Sequence, residues 1–74
     1  MNGLDRITFD INIMGGRACI RGMRITVATI MNLLASGMSH AEILEAYPYL
    51  ETEDIQQALQ YASWLADESI FQLA

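Results

Sequence analysis

Apolar and polar positions along this chain change period repeatedly, and each change marks an element. Ile7-Thr8-Phe9-Asp10-Ile11-Asn12-Ile13 alternates with period two, the pattern of a half-buried strand, in residue types that favour that conformation. Farther on, Val27, Ile30, Met31 and Leu34 fall at i, i+3, i+4 and i+7 of a helix over residues 27–36. Ala28, Leu33 and Ala35 leave Thr29, Asn32 and Ser36 as its polar stripe, which predicts a central helix covered on most sides. Ile55, Ala58, Leu59, Ala62, Leu65 and Ala66 then form a core-facing stripe along a helix over 53–66, with Gln56, Gln57, Gln60 and Ser63 on another face.

The boundaries carry their own signals. Thr26 suits an N-cap and Gly37 a left-handed residue after the first helix. Ser39 and Glu42 have capping-box spacing, with Met38 and Ile43 placed for a hydrophobic staple, so a second helix starts at 40. Pro48 ends it at 47, because proline disfavours helical geometry in the residue before it. Thr52 is the expected cap of the third helix, with Glu53 and Asp54 in the first turn, where the helix dipole favours carboxylates.

Gly15-Gly16 and Gly22 read as turns flanking a short strand over 17–20, giving a β-ribbon across 7–25. A two-stranded ribbon is marginal alone, so Ile7, Phe9, Ile11 and Ile13 are expected to pack on a helix or pair with another chain. Tyr47, Tyr49 and Leu50 are expected to plug the corner between the second and third helices. The expected fold is thus a single domain over residues 1–74, mainly α with a short N-terminal β-ribbon: a three-helix, winged helix-turn-helix-like domain. Residues 67–74 form an apolar tail with Ile70, Phe71 and Leu73.

Composition adds a reason to look for partners. Of the 74 residues, 53% are apolar, yet a chain this short buries only about 60% of the surface its unfolded form exposes. Such a chain is a candidate for dimerisation or for docking on another protein through Trp64, Ile70, Phe71 and Leu73. The N-terminus lacks a basic segment followed by an apolar run, and Thr29, Asn32 and Ser36 break the apolar stretches, so neither a leader nor a membrane span is expected. The single cysteine, Cys19, reads as a small apolar strand residue suited to a reducing cytoplasm.

The net charge of −5 is unevenly spread. Arg6, Arg17, Arg21 and Arg24 against Asp5 and Asp10 leave residues 1–24 at +2, and the remainder stands at −7 with no basic residue. This argues against nonspecific coating of nucleic acid, which depends on many phosphate neutralisations. It allows a local contact through the arginine pole, or an acidic face offered to a basic partner. Arg17, Arg21 and Arg24 suit an anion-binding patch, since guanidinium forks match phosphate and carboxylate oxygens. Solvation, or pairing with local carboxylates, is the simpler account of the same cluster.

Catalysis is not signalled. His40 is the only histidine and is expected on an exposed first turn, so no Cys-His or Ser-His pair is indicated. Cys19 and His40 alone cannot make a zinc site. Glu42, Glu45, Glu51, Glu53 and Asp54 could hold Mg²⁺ weakly, but capping and solvation account for them. The glycine turns lack the lysine of a phosphate loop. No cofactor is expected.

The segment GGRACIRGMRIT at 15–26, followed by an apolar helix and by GMSHAEILEAYPYLETEDIQQALQYA, resembles the small bacterial family called domain of unknown function 433. The resemblance covers roughly residues 5–66. The family pattern tends to read GGRPCIRGTRIPV, and Ala18, Met23 and Thr26 depart from it while the glycine and arginine framework remains. The resemblance implies a helix-turn-helix-like fold and an antitoxin-like role beside a PIN-like ribonuclease toxin, with repression of its own promoter as a further expectation. In a DNA-binding arrangement, Gln56, Gln57 and Gln60 on the third helix would face base edges while Arg17, Arg21 and Arg24 hold phosphates. Glu53 and Asp54 would then face phosphates too, which ranks DNA binding below binding to a protein. The alternatives are a sequence-specific transcriptional regulator without a toxin, or a dimeric adaptor domain.

Overall fold

A computed structural model describes the backbone of residues 3–73 and the side chains of residues 3–67. The order of elements is β1 (Ile7–Thr8), a single 3-10 turn (Met14–Gly16), β2 (Cys19–Ile20), α1 (Val27–Ala35), α2 (His40–Ala46) and α3 (Thr52–Leu73). The protein is mainly helical, with one antiparallel hairpin in which Ile7 faces Ile20 and Thr8 faces Cys19. Ile20, Ile30, Ile43 and Ile55 are fully buried. β2 and each of the three helices therefore contribute one isoleucine to a common core.

The expected helix starts hold where a side chain supplies the acceptor. Thr26 caps α1 by accepting from the Thr29 N–H at 3.0 Å. Ser39 and Glu42 form the reciprocal capping box on α2. Gly37 sits at φ 99°, the left-handed turn after α1. Arg21 and Gly22, at φ 46° and 71°, make the tight bend after β2, closed by the Met23 N–H donating to the Ile20 carbonyl at 2.8 Å. Two successive left-handed residues are what a type I′ hairpin turn requires.

Four expectations are corrected. The strand over 7–13 pairs only at Ile7–Thr8, because Asp10 pulls the chain out of the ladder: its carboxylate accepts from the Asn12 N–H at 2.9 Å and its carbonyl from the Ile13 N–H at 2.8 Å. This side-chain turn competes with sheet pairing and leaves Phe9 54% and Ile11 77% exposed. α1 is not covered on most sides, since only Val27 and Ile30 are buried along it. Thr52 is the first residue of α3 rather than its cap. The acceptor at that end is Asp54, which takes the Glu51 N–H at 2.8 Å. Finally, α3 does not stop at 66 but runs on to Leu73, so residues 67–73 continue the helix. Of the corner residues, Leu50 is buried and Tyr47 packs against the core, while Tyr49 is half exposed.

Candidate functional site

Two features of the fold concern function: a buried carboxylate that binds the hairpin to α3, and an apolar face beside it. The carboxylate belongs to Asp54, whose side chain is wholly buried in the first turn of α3. Arg21 approaches it as a fork, Nε donating to Oδ1 at 3.0 Å and Nη2 to Oδ2 at 2.8 Å. Arg6 Nη1 donates to Oδ1 at 3.0 Å and also pairs with Glu51. Arg21 Nη2 reaches the Tyr49 carbonyl as well, at 2.7 Å. Arg6 and Arg21 are cross-strand neighbours, the Arg21 N–H donating to the Arg6 carbonyl at 2.8 Å. Two like charges are thus held side by side with one carboxylate between them.

Burial alone would push the Asp54 carboxyl up. The hydrogen bonds from Arg21, the Glu51 N–H and Arg6 outweigh it and hold the group below the ordinary carboxylate range. Gln57, one turn further on, is also buried: its Oε1 accepts from the Arg6 N–H at 2.9 Å and its Nε2 donates to Asp5 at 2.8 Å. That bond holds the Asp5 carboxyl below its usual value.

The residues proposed for nucleic acid therefore separate into two groups. Gln57 is buried and Arg21, though partly exposed, is committed to Asp54, and both hold the hairpin. Arg17, Arg24, Gln56 and Gln60 are exposed, and among the described residues neither Arg17 nor Arg24 forms an ion pair. No single patch contains all three arginines of the glycine-bent segment in a free state. The sequence reading missed that Arg6 and Asp54 belong to the same cluster. The available signal was an Asp three residues after Glu51, the spacing at which a first-turn carboxylate reaches back to the helix start.

The apolar face lies along the outer part of α3. Phe9 meets Tyr61 with ring centroids 5.9 Å apart, and Tyr61 stacks on Trp64 at 6.3 Å with the planes inclined 30°. Trp64, one of the residues expected to dock on a protein, is 42% exposed. The side chains of Ile70, Phe71 and Leu73, its expected companions, lie outside the described residues. A groove of about 510 Å³ lies between α1 and α3, lined by mostly apolar side chains, Tyr61 of the aromatic row among them, together with Arg17. Cys19 is a buried free thiol and His40 is exposed. Among the described residues no three His, Cys, Asp or Glu side chains are disposed to hold a metal ion, and no helix is long and apolar enough to cross a membrane.

The class so defined is a small three-helix domain whose N-terminal hairpin is locked by arginines onto a carboxylate at the start of the third helix. The chain belongs to the family described as Protein of unknown function (DUF433), whose model matches residues 7–62. It is 38% identical over 56 residues to the uncharacterized protein y4eO of Sinorhizobium fredii (strain NBRC 101917 / NGR234), a stretch that is 76% of this chain and 25% of that protein. The chain thus spans about a quarter of the length of that relative. No solved structure matches it.

Proposed function

We propose that this chain acts as an antitoxin-like protein of the bacterial cytoplasm, binding and inhibiting a PIN-like ribonuclease through the aromatic face of α3. The single observation supporting the reading is the aromatic row in which the exposed Phe9 and Trp64 flank a half-buried Tyr61, on a chain of this family. Aromatic side chains dominate the energetics of protein interfaces, and a solvent-facing Trp beside a Tyr is the composition of an interface hot spot. The acidic remainder of the chain suits a basic, RNA-binding partner. The protein has no assigned catalytic group in this reading; it works by stoichiometric cover.

Co-expression with the product of the adjacent reading frame tests it. The expected result is a co-purifying complex with suppressed ribonuclease activity, lost on Trp64→Ala and on deletion of residues 67–74. A complex untouched by both changes would remove α3 as the contact, and no complex at all would remove the antitoxin reading.

Repression of its own promoter is the second reading, favoured by the exposed Arg17, Arg24, Gln56 and Gln60 on a domain whose hairpin and three helices suit a winged helix-turn-helix. So few uncommitted cations imply a shallow salt dependence, since the slope of log affinity against log salt is about −0.9 per phosphate neutralised. Mobility shifts with the upstream DNA at several salt concentrations measure that slope, and no sequence-specific shift at low salt would dismiss the reading.

A further inference from the structure

We propose that the groove between α1 and α3 is the seat of α3 from a second copy of this chain. The inference does not depend on the partner being a toxin. Burial fades along α3 while its apolar period does not. Ile55 and Ala58 are fully buried, Ala62 is half-buried, and Leu65 is 42% exposed although it continues the same stripe. On α1, Ala28 is exposed and Met31 half-buried, and both face the same groove. The outer half of α3 therefore carries a core-type stripe past the point where its own domain covers it.

The shape and charge of the groove select the occupant. A channel between two helices suits a third helix laid along it, anchored by side chains three and four apart. Arg17 is the one charged residue lining the groove, and no carboxylate lines it. Among the described residues Arg17 forms no ion pair. The occupant must then bring an apolar stripe and negative charge. α3 of a second copy meets both conditions, because no Lys or Arg follows Arg24 anywhere in the sequence, whereas α3 carries the exposed carboxylates Glu53 and Asp67. A surface in which one helix is both wall and occupant is self-complementary, so the pairing closes as a two-fold dimer rather than a filament.

Sedimentation equilibrium on the full chain, from about 1 µM to about 500 µM, tests the proposal. The expected result is a species of twice the 8.3 kDa chain mass. Ala28→Glu should weaken the association at least about tenfold. It adds a carboxylate beside Arg17 in the first turn of α1, where the helix dipole tolerates it, so the fold survives. Far-UV circular dichroism of that variant checks the point. Gln56→Glu adds the same charge to an exposed position of α3 outside the groove lining, and should change the association by less than about twofold. Arg17→Gln should weaken the dimer and flatten its dependence on salt. A chain that stays monomeric across the range overturns the proposal, even if it binds the product of the adjacent frame. So does a dimer indifferent to Ala28→Glu.

Discussion

Asp54→Ala is the perturbation that tests the clamp most directly. The wild-type carboxylate accepts four hydrogen bonds, two from Arg21, one from Arg6 and one from the Glu51 N–H. Removing it leaves two neighbouring guanidinium groups without their shared counter-ion and the start of α3 without an acceptor. Breaking a buried ion pair by deleting one partner costs about 3–5 kcal/mol, and losing a helix-start acceptor about 1 kcal/mol. The Arg6 and Arg21 side chains keep 25% and 36% of their surface exposed, so water recovers part of that loss. A net destabilisation of about 2–4 kcal/mol follows. The total stability expected of so short a chain is about 4–11 kcal/mol, so the variant forfeits a large fraction of it. Urea unfolding followed by far-UV circular dichroism measures the change. With a slope of about 1 kcal/mol per molar urea, the midpoint should fall by about 2 M or more. Glu53→Ala removes the adjacent but exposed carboxylate and should move the midpoint by less than about 0.5 M. Equal shifts for the two variants would refute the assignment of Asp54 as the keystone.

Acid should act through the same group. Its native pKa lies below the unfolded value, so its stabilisation is complete above the ordinary carboxylate range and is lost as the pH falls through the lowered native value. Asp5 and Glu42 are shifted in the same direction, by the Gln57 side chain and the Ser39 N–H respectively. Urea midpoints should therefore be flat from about pH 8 to about pH 5 and fall below about pH 4, with Asp54→Ala showing the smaller acid loss; an identical acid profile in the variant would contradict this. At the other end of the core, Ser39→Ala removes the acceptor for the Glu42 N–H and should cost about 1 kcal/mol by the same urea assay, with the slope unchanged.

The first two helices were legible because their boundaries rest on local chemistry. Thr26, Ser39 with Glu42, Gly37 and Pro48 each act on backbone groups within a few residues, and a linear reading finds them. The ribbon was legible only in part. Alternation over 7–13 satisfies the strand period, but Asp10 and Asn12 are also good turn residues, and the side-chain turn prevailed over pairing. The candidate site was the least legible. A basic N-terminal segment and acidic helices were visible in the sequence, yet their juxtaposition joins residues 48 apart for Arg6 and 33 apart for Arg21. No local pattern reports a contact of that range. An Asp and a Gln at the start of a helix look like solvated polar positions, and only the packing shows them turned inward.

That juxtaposition changes how the arginine segment must be tested. Arg17 and Ala18 lie on the groove, while Arg21, a few residues on, is held by Asp54. Ala18 is stitched to the start of α1 by accepting the Val27 N–H at 2.9 Å, and β2 takes its register from Ile7 opposite Ile20. The position of Arg17 on the groove is therefore set partly by Arg21, since the two flank β2. Arg21→Ala would loosen that strand and weaken binding of DNA, toxin or second copy alike, so a loss of affinity in that variant would not identify Arg21 as a contact. Arg17→Ala and Arg24→Ala leave the clamp intact, because neither side chain takes part in it. A partner that contacts the arginine segment must respond to one of those two changes while the urea midpoint stays put. If only Arg21→Ala affects binding, and does so in proportion to lost stability, the charge of the segment serves the fold and the partner lies on α3.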